Sequence, residues 1–540
     1  MSGMMPGRGV EGLDKLAIGA AEKKKQQQEA ALPPPSPGAA PESPIPPTPP
    51  AGAGAARPAA DSPTPATAPA GAARAASLTT VPPKADPSGA TMRALVWRGK
   101  KHVALVRDHP KPCVTDPADA VVRVGKAAIC GSDLHLYGSS MPGMKSGDVL
   151  GHEAMGVVES VGPGVKSVRP GDRVAVSFDL ACGACFFCER GLFTACDVTN
   201  PSAAQGAAYG GRTSGALGYS HLTGGHWGVD AEYARVPFAD TNLLPLAPIE
   251  KEEGAAAGGA ITDAQAALLG DVLPTAWTAC ELGEVGPRDY VVVFGAGPIG
   301  LVTAQCAAHR GARRIVLVDP VEGRLAFARR PGVVLRSKDG APSSSPPPCR
   351  LDCVHVSGSG GAGMEAALRE VARLSEGEPA GAPDVAVEAV GMHYARALHH
   401  RLQLAAGLET DSAEALNACL RAVRKGGRVS VVGVFAGSAN GVLLGAFMEK
   451  GLTLRGSQAP VQRYWRELAA KVARGELDPS AVVTHALPLE RAADGFRLFD
   501  EKRDGCVKVL LDVAGGGGGG EGEEAAAADT VEGVPVVALL

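Results

Sequence analysis

The sequence predicts an α/β chain in which a β-rich region precedes a doubly wound parallel sheet. Three observations carry this. From about Met92 to Arg173, short β-branched runs such as "DAVVRVGKAAICG", "GVVESVGPGV" and "GDRVAVS" alternate with turn signals, the pattern of a barrel or sandwich. From about Pro274 the pattern changes, and "YVVVFGAG" is a continuous apolar run that stops at glycines, as a strand buried on both faces does. After those glycines, "PIGLVTAQCAAHRG" reads as a helix and "RRIVLVD" as a second strand.

In chain order, residues 1–91 are rich in Pro, Ala and Ser and poor in large apolar side chains. They cannot build a core, and disorder is expected. Order is expected to begin near "TMRALVWRGK", and the β-rich part to occupy 92–273. The parallel sheet is expected over 274–459, with later strands at "DVAVEAVG", "GRVSVVGVF" and "LTLRGS". The amphipathic helix "QRYWRELAAKVARGEL" and a final strand "CVKVLLDV" fall within 460–513. The stretch 514–540 contains "AGGGGGGEGEEAAAAD" and is again low in complexity. No internal repeat is visible.

Composition excludes several function classes. The 540 residues are 45% apolar and carry a net charge of -4, enough for two or three domains. No basic block suggests nucleic acid; Lys23, Lys24 and Lys25 sit in the low-complexity region and read as solvated. "MSGMMPGRGVEGLDKLAIGA" has no apolar h-region, and no run of about eighteen apolar residues offers a membrane helix. Early Glu and Asp count against a transit peptide, so a cytoplasmic location is expected, with organelle import by the N-terminal tail left open. In a reducing compartment, clustered cysteines read as metal ligands before disulfides. Of twelve cysteines, Cys113, Cys280, Cys306, Cys349, Cys419 and Cys506 are scattered and expected to be ordinary buried thiols.

Three motifs carry chemistry. Cys182, Cys185, Cys188 and Cys196 offer four thiolates on one loop. Zinc takes such a set as a closed tetrahedron with no open position, so this site holds structure rather than catalysing. Unconnected core cysteines fit the tight spacing poorly, and iron–sulfur clusters use other spacings. The second set is dispersed: "AICGSDLH" supplies Cys130, Ser132, Asp133 and His135, "LGHEAMG" supplies His152 and Glu153, and "LLGDVLPTAW" supplies Asp271. One Cys, one His and one Asp would satisfy a catalytic zinc, which wants three protein ligands and an open position. Singly, each has a blander reading as a core thiol or a surface pair. The third motif is Gly295-x-Gly297-x-x-Gly300, with Pro298 and Ile299 inside it. It follows a strand and opens a helix, the context dinucleotide binding requires. Asp319 ends the next strand, where a carboxylate bonds a ribose diol and repels a 2′-phosphate, favouring NAD over NADP; Arg324 joins the candidate cofactor set.

Together these residues resemble the zinc-containing medium-chain dehydrogenase/reductase superfamily, the family of alcohol dehydrogenase, over about Met92 to Val513. "CGSDLH", "GHEAMGVVESVG", the four-cysteine loop and "GAGPIG" occur in that family's order. "NPSAAQGAAYGG", "GYSHLTGGHWGVDAEYARVPFAD", "DVLPTAW" and "DGCVKV" are similar to the formaldehyde dehydrogenase-like branch, in which an Asp replaces a cysteine ligand. The resemblance implies a β-rich GroES-like catalytic domain, to which 460–513 returns, and a Rossmann domain with the cleft between them. It implies that Cys130, His152 and Asp271 hold a catalytic zinc and that Cys182, Cys185, Cys188 and Cys196 hold a structural one. Ser132 and His135 would form a proton relay, Glu153 would lie behind the metal, and Asp133 would orient His152.

The implied activity is hydride transfer between an alcohol, or an aldehyde hydrate, and NAD, in a homo-oligomer (dimer or tetramer) acting on small molecules. A catalytically silent NAD-binding relative would be expected to lack one of the three catalytic ligands, and a zinc-free quinone reductase would lack the cysteine loop. Two departures stand out. "RRPGVVLRSKDGAPSSSPPPCRLDCVHVSGSGG" is Pro- and Ser-rich where the family continues with a helix and third strand, which puts the adenine side of the pocket in question. "GMHYARALHHRLQLAAGLETDSAEAL" extends the chain after Val390, where the branch covers its cofactor; tight NAD retention is expected, and His399 and His400 read as solvated.

Overall fold

The computed structural model describes residues 83–138, 141–257, 260–335, 349–358, 361–390 and 411–514. Residues 1–82 and 515–540, residues 336–348 of the Pro- and Ser-rich segment, and residues 391–410 with His399 and His400 lie outside the described residues.

Strand β1 (Thr91–Gly99) pairs antiparallel with β2 (His102–Pro110). Strands β3 (Ala120–Ile129), β4 (Glu153–Val161) and β5 (Arg173–Val176) follow. The short pair β6 (Asp179–Leu180) and β7 (Gly215–Ala216) brackets the cysteine loop. After them come β8 (Tyr233–Val236) and β9 (Leu243–Pro245). The parallel layer holds β10 (Tyr290–Phe294), β11 (Arg314–Asp319), β12 (Arg350–His355), β13 (Val385–Glu388), β15 (Arg428–Val431) and β17 (Thr453–Gly456). The two-residue strands β14 (Asp411–Ser412) and β16 (Ala439–Asn440) pair with each other, and β18 (His485–Pro488) and β19 (Val509–Asp512) close the chain.

The parallel sheet runs β12-β11-β10-β13-β15-β17, the doubly wound order whose chain reversal falls between the first and fourth strands. Every residue of β10 and β11 is buried, as expected of parallel strands covered by helices on both faces. Their register pairs Val292 with Val316 and Val293 with Leu317, while β13 sets Ala386 opposite Val292. The helices Val272–Leu282 and Pro298–His309 pack on one face with Ala279, Cys280, Leu301 and Cys306 in the core. On the other face, Tyr290, Val292 and Phe294 meet the helices Gly361–Leu374 and Glu414–Ala422 through Ala367, Val371 and Cys419.

The second large sheet runs β18-β19-β3-β4-β5-β9, with β8 also on β3, and is antiparallel apart from β18 and β19. Its C-terminal strand β19 pairs with β3 from the early chain, Val509 opposite Ile129.

Two expectations are corrected. The Pro- and Ser-rich departure does supply a third strand of the parallel sheet, because β12 emerges from it in register with β11, Asp319 opposite His355. Cys113 and Cys349 are half-buried rather than core thiols; Cys353, which the scattered set omitted, is half-buried as well. The reason is position: Cys349 and Cys353 flank or lie on β12, the outer strand of the sheet.

Asp230 carries a testable consequence. It is fully buried, neither carboxyl oxygen finds a partner, and burial holds its carboxyl well above the usual range. A carboxyl raised in the folded state is neutral there while its unfolded counterpart ionises, so it costs stability increasingly as pH rises above the ordinary carboxyl range. Asp230→Asn is therefore expected to stabilise the fold by about 1–3 kcal/mol at pH 8, with a smaller gain at pH 5. Denaturant melts at the two pH values check the sign.

Candidate active site and zinc centres

The cysteine loop lies between β6 and β7, and all four sulfurs are buried. Cys185 and Cys188 stand 3.5 Å apart, Cys182 and Cys188 3.9 Å, and Cys185 and Cys196 4.0 Å. A zinc tetrahedron with sulfur bonds of about 2.3 Å has edges of roughly 3.8 Å, so the donors fit the ion. The backbone N–H of Cys182 donates to Cys196 Sγ at 3.4 Å. Thiol donors, Cys182 foremost and then Cys188, hold Cys196 well below the usual thiol range, ready as a thiolate.

The second centre gathers residues from three distant stretches. Cys130 follows β3, His152 precedes β4, and Asp271 is the N-cap residue of the helix Val272–Leu282. Asp271 Oδ2 lies 3.4 Å from His152 Nε2 and 3.6 Å from Cys130 Sγ. Tetrahedral bonds of about 2.0–2.3 Å put zinc ligands roughly 3.3–3.8 Å apart, and these three donors match. Thr275 Oγ1 donates to Asp271 Oδ1 at 2.7 Å and fixes the carboxylate. Asp133, fully buried, accepts the Cys130 N–H at 2.8 Å on one oxygen and stands 3.1 Å from His152 Nδ1 with the other. A proton on Nδ1 facing Asp133 would leave Nε2 free to take a metal held with Asp271 and Cys130.

Electrostatics follow from burial. Burial pushes the Cys130 thiol up to about 11. For Asp271 burial also acts upward, but the His152 and Thr275 contacts outweigh it and its carboxyl stays below the usual range. Glu153 belongs to the same cluster, and both its oxygens meet Lys508 Nζ, at 2.6 Å. Burial pushes Glu153 up to about 7 against the pull of Lys508. Ser132 Oγ stands 3.3 Å from His152 Nε2.

A cavity of about 720 Å³ runs from this cluster to the glycine turn, lined by Ser132, His135, Phe178 and Thr275 at one end and by Gly295, Gly297, Asp319 and Arg324 at the other. Gly295 has φ +104°, and a Cβ on Gly300 would stand 1.8 Å from the Gly295 carbonyl oxygen, so neither position admits a side chain. Pro298 opens the following helix at its first turn, and Ile299 lines the cavity beside it. Asp319 accepts the Ala296 and Val321 N–H groups, each at 2.7 Å. The Nε of Arg324 is buried and lacks a partner, and a Cβ on Gly297 would lie 3.8 Å from its Nη1. Across the cavity, Gly437 donates its N–H to the Tyr209 hydroxyl at 3.0 Å.

The family model for the alcohol dehydrogenase GroES-like domain matches residues 116–247. A zinc-type alcohol dehydrogenase-like protein of Schizosaccharomyces pombe is 37% identical over 432 residues, 80% of this chain and 93% of its own. The chain belongs to the zinc-type alcohol dehydrogenase family. A glutathione-independent formaldehyde dehydrogenase of Pseudomonas aeruginosa is 30% identical, over 76% of this chain and 94% of its own length. Among solved structures, the alcohol dehydrogenase TADH from Thermus sp. ATN1 is 34% identical with a TM-score of 0.60, covering 78% of this chain and 99% of its own. This zinc-type dehydrogenase is thus an alcohol dehydrogenase-like oxidoreductase, with the GroES-like and parallel-sheet folds of its family. None of these relatives favours the reading as a silent scaffold.

Several residues of this alcohol dehydrogenase site escaped sequence reasoning. Lys508 is one, although a lysine inside the apolar strand run "CVKVLLDV" is the signal a buried ion pair leaves. Asp179 is another: it lines the cavity, and burial pushes its carboxyl up to about 7. Tyr219 and Thr275 carry no spacing signal. His221 and His226 belong elsewhere, His221 Nε2 at 3.2 Å from Asp148 and His226 Nε2 at 2.9 Å from the Thr199 carbonyl.

Proposed function

We propose that the chain oxidises a small alcohol or an aldehyde hydrate with NAD and carries two zinc ions. The observation that supports this most is that Cys130, His152 and Asp271 converge at one end of the cavity whose other end is the glycine turn with Asp319. Bound zinc and nicotinamide would supply Lewis acidity, which lowers the pKa of a hydroxyl by several units, and a hydride acceptor. Cys130, His152 and Asp271 hold the metal end, with Asp133 orienting His152. Ser132 Oγ accepts the proton from the substrate hydroxyl and hands it towards His135 at the cavity wall. Glu153, neutralised by Lys508, lies behind. Phe178, its ring centroid 6.1 Å from that of His152, keeps water off the reacting carbon. The N–H groups at the start of the helix Pro298–His309 hold the pyrophosphate, beside Arg324, and Asp319 takes the ribose diol, which favours NAD over NADP. Cys182, Cys185, Cys188 and Cys196 hold the second zinc, which keeps the loop in shape.

We assign 92–273 with 460–513 to the catalytic domain and 274–459 to the nucleotide domain, supported by the pairing of β19 with β3. A homo-oligomer is supported by the exposed edge strand β17 and the exposed Leu444, Met448 and Leu454 near it, since unpaired strand edges are templates for pairing. Converting Leu444 and Met448 to Asp is expected to shift the protein to monomer in sedimentation velocity; an unchanged oligomer would put the contact elsewhere.

The deciding experiment measures zinc per chain and NAD reduction with short alcohols and formaldehyde. Two zinc ions with NADH formation is the expected result. One zinc ion and no NADH formation from any of them would sink the proposal.

A further inference from the structure

The phenol of Tyr219 has no task in the reaction above. It lies in "GALGYS" after β7 and lines the metal end of the cavity with Ser132, Phe178 and Leu222. Its ring stands at 79° to the His152 imidazole, with centroids 6.0 Å apart. Its hydroxyl is screened from solvent, with Ser132 beside it as a polar neighbour but no well-formed hydrogen bond. A phenol carries its hydrogen near neutral pH and can donate or accept. A buried hydroxyl left unbonded is costly, and Phe would fill the same space without that cost. Such a group is accounted for when a ligand completes it. The substrate oxygen that reacts is already met by the metal end and by Ser132. An oxygen bonded to Tyr219 is therefore a second one, close to the reacting carbon because the ring flanks His152.

We propose that Tyr219 is a specificity-determining residue whose hydroxyl bonds a second substrate hydroxyl on or next to the reacting carbon, favouring hydrated aldehydes and 1,2-diols over monohydric alcohols. This rests on the alcohol-oxidising reading above. A monohydric substrate leaves the phenol unbonded in a filled pocket, whereas a gem-diol or 1,2-diol satisfies it, and sites built around a substrate hydroxyl discriminate against analogues that lack it.

The test compares the unmodified holoenzyme with Tyr219→Phe, using NAD with ethanol against ethane-1,2-diol and with methanol against formaldehyde in its hydrated form. The unmodified enzyme is expected to have the higher kcat/KM for the two-oxygen member of each pair. Tyr219→Phe is expected to cut that preference about tenfold, by lowering kcat/KM for the two-oxygen member more than for its partner, while zinc content is unchanged and thermal stability is unchanged or higher. Equal kcat/KM for ethanol and the diol in the unmodified enzyme overturns the proposal without any variant. A Tyr219→Phe enzyme that loses both members of a pair equally also overturns it, because the residue then acts only through the structure. Turnover of none of the four substrates is a separate result: it removes the alcohol-oxidising reading and this proposal with it.

Discussion

Cys196→Ser is expected to remove one zinc ion per chain and to lower the melting temperature by on the order of 10 °C. The stretch Cys182–Cys196 is built of two single-turn 3₁₀ segments, Cys188–Arg190 and Phe193–Ala195, and the only fully buried apolar residues around its four cysteines in that cluster are Ala181 and Phe238, with Phe187 and Phe193 half-buried. Phe186 and Leu192 point outward, 57% and 46% exposed. A segment so poor in apolar burial is held by its ligands, and structural zinc in small modules contributes on the order of 10 kcal/mol. Serine is a poor zinc ligand at neutral pH, and a three-thiolate remnant leaves a buried charge imbalance. Metal analysis and a thermal melt, each repeated with a chelator on the parent protein, check this. A Cys196→Ser protein that keeps both zinc ions and its melting point would show that the loop stands without the fourth thiolate.

Lys508→Met is expected to destabilise the fold by about 3–5 kcal/mol at pH 8. Lys508 and Glu153 are both almost wholly buried, 1% and 0% exposed at their side chains, and each is the other's closest charge. Removing the ammonium leaves Glu153 without its counter-charge in a space where burial already holds its carboxyl at about 7 with the lysine present. Without Lys508 that carboxyl rises further. Because the folded value exceeds the unfolded one, the loss is smallest near the ordinary carboxyl range and grows as pH rises. The variant's deficit is therefore larger at pH 8 than at pH 6. Adding Glu153→Gln recovers much of the loss, and the double-mutant cycle isolates the pair. A deficit that is flat with pH would mean lost packing rather than an unpaired charge.

The parallel sheet was legible because β10 and β11 are apolar on both faces and end at glycines, a local signal that needs no tertiary information. The cysteine loop was legible for the same reason: its four ligands lie close in sequence. The second centre was not legible from spacing. Cys130, His152 and Asp271 are the residue after one strand, the residue before another and the N-cap residue of a helix, and resemblance to a family, rather than periodicity, singled them out. Lys508 and Tyr219 show the limit more sharply. A lysine in a strand and a tyrosine in a glycine-rich turn have ordinary readings, and only the fold shows that one faces Glu153 and the other His152. The Pro- and Ser-rich segment misled in the opposite sense, since composition hid the six residues of β12.

The position of Asp319 bears on how freely this chain's coenzyme choice could change. Its two oxygens already receive the N–H groups of Ala296 in the glycine turn and Val321 in the loop after β11. The carboxylate that would meet the ribose is thus also the clasp between those two loops. Swapping it for a small neutral residue, the obvious first step towards a phosphorylated coenzyme, would undo both clasps before any new affinity appeared. A route to the other coenzyme, in the laboratory or in evolution, would have to rebuild the turn first.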